Sequence, residues 1–325
     1  MTLMSRVALA ACLGPALIMP QCGYAQPYPS KTIRVVVPFT PGGSTDVLAR
    51  IIAPKVSDAL GQQVVVDNRP GANTILGTEL VTKSAPDGYT LLMTIDATVV
   101  INPHAYSKLP FDPIRDLAPI TKVAALPLIV VAHPSLPFNN AREFIAFAKA
   151  NPGLNYSSSG YASTAHLSLV LLEQRIGTRF THVAYKGGGQ AVIDALAGFV
   201  PIFVTAVPTV AGYLKSKKLK PVAFTGLKRH DSLPDVQTFA EVGITGYDVT
   251  IWYAMFAPAC TPQPVVGRLR DEVAKVIAMP EQRERLATLG ADRVGSTPEQ
   301  LTADIKADYA RWGKIIPQAG IRITE

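Results

Sequence analysis

From Thr32 almost to the C-terminus, apolar β-branched runs alternate with stretches whose apolar residues recur every three to four positions. Thr32–Phe39 (TIRVVVPF) reads as a buried strand and Pro41-Gly42-Gly43-Ser44-Thr45 as a turn. Val47, Leu48, Ile51, Ile52, Val56, Ala59 and Leu60 follow at helical spacing, with Gly61 where a C-terminal cap belongs and Pro54 as an expected kink. Gln63–Asp67 is the next strand, a helix runs on to Ser84, and Thr90–Ile95 is a third strand. This βαβαβ rhythm predicts a parallel sheet flanked by helices. A second cycle predicts strands at Leu128–Ala132, Leu154–Ser158, Phe180–Tyr185, Ile202–Val207 and Pro221–Thr225, with helices at Asn140–Ala150, Thr164–Ile176 and Gln190–Leu196. Ile251–Ala257 is a further strand, and 264–279, 280–289 and 298–319 are helical. The pattern gives two α/β domains.

Composition changes this picture at the N-terminus. No charged residue occurs between Val7 and Ser30; Met1–Arg6 is a short positive region, Val7–Met19 is apolar, and Gly23-Tyr24-Ala25 reads as a small-x-small cleavage site. Residues 1–25 are therefore expected to be an export signal, cleaved after Ala25, rather than a membrane anchor. Leu9-Ala10-Ala11-Cys12 has the letters of a lipoprotein box, but Arg6 leaves it almost no apolar stretch. Cleavage removes Cys12 and Cys22, so Cys260 alone remains and no intramolecular disulfide is expected. Loss of Arg6 lowers the formal net charge of +7 to +6, too diffuse to define a site, and the short run Lys215–Lys220 is too short to argue for nucleic acid. The uncharged stretch Ala195–Leu214 is long enough to span a bilayer, yet Gly198, Pro201, Pro208 and Gly212 break it into a helix end, a strand and a new helix.

Candidate chemistry sits in the strand-to-helix turns. At 41–45 a Gly-Gly pair lets a ligand approach the backbone, and Ser44 or Thr45 opens a helix whose free N–H groups and dipole favour an anion. The turn lacks the spacing of a nucleotide motif. Ser157-Ser158-Ser159-Gly160-Tyr161-Ala162-Ser163-Thr164 and Tyr185-Lys186-Gly187-Gly188-Gly189 are turns of the same kind in the second domain. Each alone is ordinary capping; together they suggest an anion held across a cleft. The five histidines show no metal-ligand spacing, His166 reads as a packing residue, and neither Ser44 nor Ser163 carries a local nucleophile signature.

Those same residues carry a resemblance. Pro38-Phe39-Thr40-Pro41-Gly42-Gly43-Ser44-Thr45-Asp46, Asp67-Asn68-Arg69-Pro70-Gly71-Ala72, Ala85-Pro86-Asp87-Gly88-Tyr89-Thr90 and Tyr156-Ser157-Ser158-Ser159-Gly160 resemble the Bug family, the periplasmic substrate-binding proteins of tripartite tricarboxylate transporters. Val183-Ala184-Tyr185-Lys186-Gly187, Leu233-Pro234-Asp235-Val236, Trp252, Ala257-Pro258-Ala259 and Thr261-Pro262 extend the similarity over the whole mature chain. The resemblance implies a type II periplasmic-binding-protein (Venus-flytrap) fold, two α/β domains with a ligand cleft between them. It places domain I at 26–124 plus 250–325 and domain II at 125–249, hinged near Thr121–Leu126 and Tyr247–Trp252. It also implies a small carboxylate as ligand, held partly through ordered waters, no cofactor, no metal, and a monomer that docks on the transporter's membrane permease.

Carried over residue by residue, the first half of the site is Phe39, Thr40, Gly43, Ser44 and Thr45, with Thr74 and Thr94 nearby. The second half is Ser159, Gly160, Ser163 and Thr164, with the backbone at Lys186 and Gly187. Asp46 is expected to order the first loop without touching an anion. Where many relatives carry an Asp, which in some of them pairs with a ligand amine, this chain has Thr205. A carboxylate without an α-amino group is therefore expected, such as a di- or tricarboxylate or an aromatic acid. Gly198-Phe199-Val200-Pro201 replaces a more polar stretch and implies a more apolar cleft floor. Two other readings stand beside this one: docking of the liganded form on a membrane sensor kinase, and an exported hydrolase using Ser44 or Ser163.

Overall fold

The computed structural model describes residues 28–288 and 290–324, so the export signal expected at 1–25 lies outside the described residues. The first lobe begins with β1 (Ile33–Val37), α1 (Ser44–Leu60), β2 (Val64–Asn68), α2 (Ile75–Thr82) and β3 (Thr90–Ile95). β1 pairs in parallel with β2 on one side and β3 on the other, as the βαβαβ rhythm requires. Gly61 ends α1 in the left-handed region at φ 67°, and Pro54 is accommodated inside the helix. A π-helical turn at Ala97–Ile101 and a short α3 (Asn102–Ala105) follow β3, an irregularity that apolar periodicity does not signal.

β4 (Leu117–Ala132) is a single 16-residue strand where only its last five residues read as strand from the sequence. Its first part alternates less cleanly because Pro119, Lys122 and two register shifts interrupt the pattern. This strand joins the two lobes. Residues 117–127 pair antiparallel with β9 (Thr250–Pro258), which itself pairs with β3; residues 128–132 pair with β7 (Ile202–Ala206) and β8 (Lys220–Phe224). The second lobe is completed by α4 (Ala141–Ala150), β5 (Leu154–Ser158), α5 (Thr164–Ile176), β6 (Phe180–Ala184), α6 (Gly188–Leu196) and α7 (Val207–Lys215). β5 pairs in parallel with β6 and β7. The chain then returns to the first lobe through β9, α8 (Gln263–Ala278), α9 (Pro280–Thr288), β10 (Asp292–Arg293) and α10 (Pro298–Gln318). The strand order is β2-β1-β3-β9-β4-β7-β5-β6, with β8 and β10 also on β4.

The continuous apolar run 128–132 is explained by burial on both faces of β4. Leu128, Val130 and Ala132 enter the main core, while Ile129 and Val131 enter a second core with Val192, Phe203, Val210 and Phe224. Where β4 and β9 cross between lobes, Thr225 fastens them: Leu128 N–H donates to its Oγ1 at 3.0 Å, and its hydroxyl donates to the Val249 carbonyl at 2.6 Å. Among the described residues no helix is long and apolar enough to cross a membrane, and 195–214 form the α6 end, β7 and α7, as the breakers required.

Candidate functional site

Four helix N-termini converge on one cavity between the lobes. Gly43, Ser44 and Thr45 bring α1 to it, Ala165 brings α5, Gly188 brings α6, and Thr205 and Ala206 bring α7. The N-cap positions of α1, α6 and α7 are Gly43, Gly187 and Ala206, none of which caps its helix through a side chain. Their first-turn N–H groups are thus not consumed by side-chain caps, and their dipoles point positive ends at the same space. Only α5 is capped, by Ser163, whose Oγ accepts the His166 N–H at 3.2 Å. Ser159 and Tyr253 add hydroxyl-bearing wall; Phe39, Ile95, Leu128 and Ile251 make the rest apolar. No Lys, Arg, His, Asp or Glu lines the cavity. Such a site suits an anion with a short apolar body, held by hydrogen bonds and helix dipoles rather than by ion pairs.

The first loop is built around one buried carboxylate. Asp46 is 3% exposed and accepts the Gly42 N–H at 2.9 Å, the Arg50 Nε at 2.9 Å and the Asn68 amide at 2.9 Å. Those contacts fix the turn before α1 while keeping the charge out of the cavity wall. Tyr253 donates to Ser44 Oγ at 2.8 Å, and burial pushes its phenol well above the usual range, so it remains a donor.

Neutral groups build the second loop. Ser158 Oγ lies 2.7 Å from His182 Nε2 and 3.2 Å from Ser163 Oγ, and Ser163 donates to the Gly160 carbonyl at 2.7 Å. His166 Nδ1 accepts the Ala162 N–H at 3.0 Å, and its ring stacks on His182 with centroids 4.1 Å apart. Burial lowers His166 to about 4; burial, with His166 beside it, lowers His182 to about 3. Both imidazoles are therefore neutral scaffolding at pH 7. His166 packs, as its position in the sequence suggested.

The lobes touch along a seam beside the cavity. Thr40 N–H donates to the Lys186 carbonyl at 3.3 Å, and Thr164 donates to Asp96 at 2.7 Å. Two glycines permit the approach. A Cβ on Gly189 would sit 1.9 Å from the Pro41 carbonyl oxygen, and one on Gly187 would sit 2.6 Å from Thr40 Oγ1. The remaining cavity is about 20 Å³, room for roughly one water, so a multi-carbon solute needs the lobes to part.

Of the residues singled out from sequence, Phe39, Gly43, Ser44, Thr45, Ser159 and Thr205 line the cavity. Thr40, Gly160, Thr164, Lys186 and Gly187 form the seam, with Lys186 contributing its carbonyl while its side chain is exposed. Ser163 stands behind the wall as a cap. Thr74 and Thr94 join a buried hydroxyl chain instead: Thr94 and Thr98 are 2.6 Å apart, and Thr98 donates to Thr74 at 3.0 Å. Phe199 corrects the expected apolar cleft floor, because it lies 77% exposed at the α6–β7 corner, away from the cavity. Apolar character comes from Phe39, Ile95, Leu128 and Ile251 instead. Tyr253 and Asp96 were not singled out from the sequence, whereas the opening of α7 was read at Pro208-Thr209, and Thr209 Oγ1 is buried there without a hydrogen-bond partner. Tyr253 sits in a run that reads only as buried strand, so its hydroxyl gave no periodic signal.

The two-lobed α/β fold with a cavity at its seam is the fold of periplasmic binding proteins. The sequence of residues 48–321 matches the model of the tripartite tricarboxylate transporter family receptor, TctC, and the chain belongs to that family as a Bug-type periplasmic binding protein. It is 33% identical to the protein BugT of Bordetella pertussis over 98% of this chain and the full length of that one. An R. palustris protein solved with adipate superposes with a TM-score of 0.88 at 33% identity, covering 91% of this chain and 99% of that one. MatC from Rhodopseudomonas palustris, solved with bound malate, gives 0.83 at 29% identity, covering 89% of this chain and all of that one. The family is one of receptors rather than enzymes, and no His/Cys/Asp/Glu cluster suited to a metal occurs among the described residues.

Proposed function

We propose that this protein captures a small di- or tricarboxylate, or an aromatic acid, lacking an α-amino group, and delivers it to the membrane permease of a tripartite tricarboxylate transporter. The observation that carries the reading is the convergence of α1, α5, α6 and α7 N-termini on a cavity that offers no cation and no carboxylate. One carboxylate would lie on the α1 loop with Ser44, Thr45 and Tyr253, and the rest of the solute on Ser159, Thr205 and the α6 and α7 termini, with waters completing the shell. Thr205 in place of a carboxylate supports an acid without an amine. The binding of adipate by one relative and malate by another supports a diacid.

The domain division that goes with this reading is 26–124 plus 250–325 against 125–249, with hinges at 121–126 and 247–252. Support comes from the crossing of β4 and β9 at Ala125–Trp252 and Leu126–Ile251 and from the Thr225 fastening beside it. A hydrolase finds no support at Ser44, bonded to a protonated tyrosine, or at Ser163, committed to capping.

The test is a thermal-shift panel of succinate, malate, adipate, citrate, terephthalate, aspartate and glutamate. A solute at about 100 times its Kd should add about 2.7 kcal/mol to unfolding. Stabilisation by aspartate or glutamate alone would overturn the amine-free reading.

A further inference from the structure

Asp96 is a carboxylate that stands at the seam itself, where it accepts the Thr164 hydroxyl. It follows β3 as the N-cap of the π-helical turn of the first lobe, and is 2% exposed. Its Oδ1 accepts both the Ala97 N–H at 2.8 Å and, from across the seam, the Thr164 hydroxyl at 2.7 Å. Both bonds fall on one oxygen. Its chain neighbour Ile95 and Thr164's neighbour Ala165 line the cavity, so the carboxyl stands directly behind the place assigned to an anionic solute.

The charged and titratable groups around Asp96 do not neutralise it. From α10, Asp308 faces it and accepts the Trp252 Nε1 at 2.7 Å. From β4, Lys122 faces it, yet that ammonium is paired with Asp304 and lies over the Trp252 ring. From β9, Tyr253 is a protonated phenol turned to Ser44. From α5 only the Thr164 hydroxyl reaches it, and His104 on α3 turns to the Tyr309 carbonyl. No ion pair to Asp96 occurs among the described residues. A buried carboxylate without an ion-pair partner, beside a second carboxylate and an anionic solute, is costly unless it holds a proton.

We propose that Asp96 is a proton-bearing latch between the lobes: the cleft closes with its carboxyl protonated and bonded to Thr164, so that closing takes up one proton and capture tightens as pH falls. Oδ1 accepts the two hydrogen bonds and Oδ2 carries the proton, which returns to solvent when the lobes part. Burial, reinforced by Asp308, pushes Asp96 in the closed form up to about 8, against an ordinary carboxyl once the seam opens. The sign follows from linkage. Closing is unhindered below the carboxyl's ordinary range, and its free energy becomes less favourable as pH rises toward 8. His166 and His182 titrate below this window.

This latch rests on the two-lobe reading of the cleft, and its test separates the two. Inter-lobe distance is measured in the ligand-free full mature chain by paired spin labels, one on each lobe, from pH 6 to pH 8. The closed fraction should rise as pH falls in the wild type. In D96N, whose amide mimics the protonated carboxyl, it should not change with pH. The closing equilibrium should change by about tenfold between pH 6 and pH 7 and flatten toward pH 8. T164V should lower the closed fraction at every pH while keeping the slope. With adipate or malate as probe, affinity should follow the same curve, with about one proton taken up per solute at pH 6 in buffers of different ionisation enthalpy. A closed fraction independent of pH in the wild type, or an equal slope in D96N, overturns the latch. Failure of every carboxylate to bind, with pH-dependent closure intact, overturns the carboxylate reading and leaves the latch standing.

Discussion

The two loops that face each other across the cleft serve the same end by different chemistry. In the first lobe, the turn before α1 is organised by an ion: Asp46 gathers Gly42, Arg50 and Asn68, and Gly43 leaves the helix end bare. In the second lobe, the turn before α5 is organised by neutral Ser158, Ser163, His166 and His182, and Ser163 covers its own helix end. The bare end is where a carboxylate gains most, because its N–H groups have no competing side-chain acceptor. The covered end acts as a shaped wall. Bare helix ends are thus not confined to the first lobe, because α6 and α7 of the second lobe also lack side-chain caps, and α5 alone among the four presents a capped end.

Four substitutions break or sharpen this contrast. The largest effect is expected from Gly189→Ala, which puts a methyl against the Pro41 carbonyl. Overpacking of about 1–3 kcal/mol should appear as a loss of roughly ten- to a hundredfold in solute affinity, with ligand-free thermal stability little changed. Calorimetry and a melting curve check the two parts separately. Next is Asp46→Ala, which strips three donors of their acceptor and should cost about 1–3 kcal/mol of stability in denaturant titrations, as well as affinity. Ser158→Ala, on the neutral side, should cost about 1 kcal/mol and leave the first-lobe contacts in place. The smallest effect belongs to Lys186→Ala, expected within about 0.5 kcal/mol for binding because the exposed ammonium does not line the cavity.

The second-lobe loop and the seam also divide the pH dependence. His166 and His182 have native values depressed by burial to about 4 and about 3, below the ordinary imidazole range near 6.5. Their contribution is present above that range and is lost as pH falls through it toward the native values, because the unfolded imidazoles take up protons first. Asp96 acts oppositely: its native value is raised, so its contribution is full in acid and is lost as pH rises toward 8. Unfolding curves of H182A and D96N against the wild type should flatten the acid limb and the alkaline limb respectively.

Much of this was legible in the residues. Strands 90–95 and 154–158 and the helix 164–176 fall at their sequence-read limits, because apolar periodicity and Gly177 mark them. The glycine- and hydroxyl-rich turns were visible because helix openings restrict residue choice. What escaped detection depended on tertiary placement. Most of β4 was hidden because Pro119 and Lys122 break its pattern, and β10 is only two residues long. Thr74 and Thr94 had the right chemistry and lie one layer too deep. Asp96 carried no local signal at all, since its meaning comes from Thr164, sixty-eight positions away.

Capture of a carboxylate through backbone N–H groups and hydroxyls, rather than through side-chain cations, follows from the cavity lining. It is tested most directly by titration calorimetry of the best-stabilising acid beside its amide, each at low and high salt. The acid should bind, its affinity should change little with salt, and the amide should bind far more weakly. Equal binding of acid and amide, or an acid affinity that collapses with salt, would contradict it.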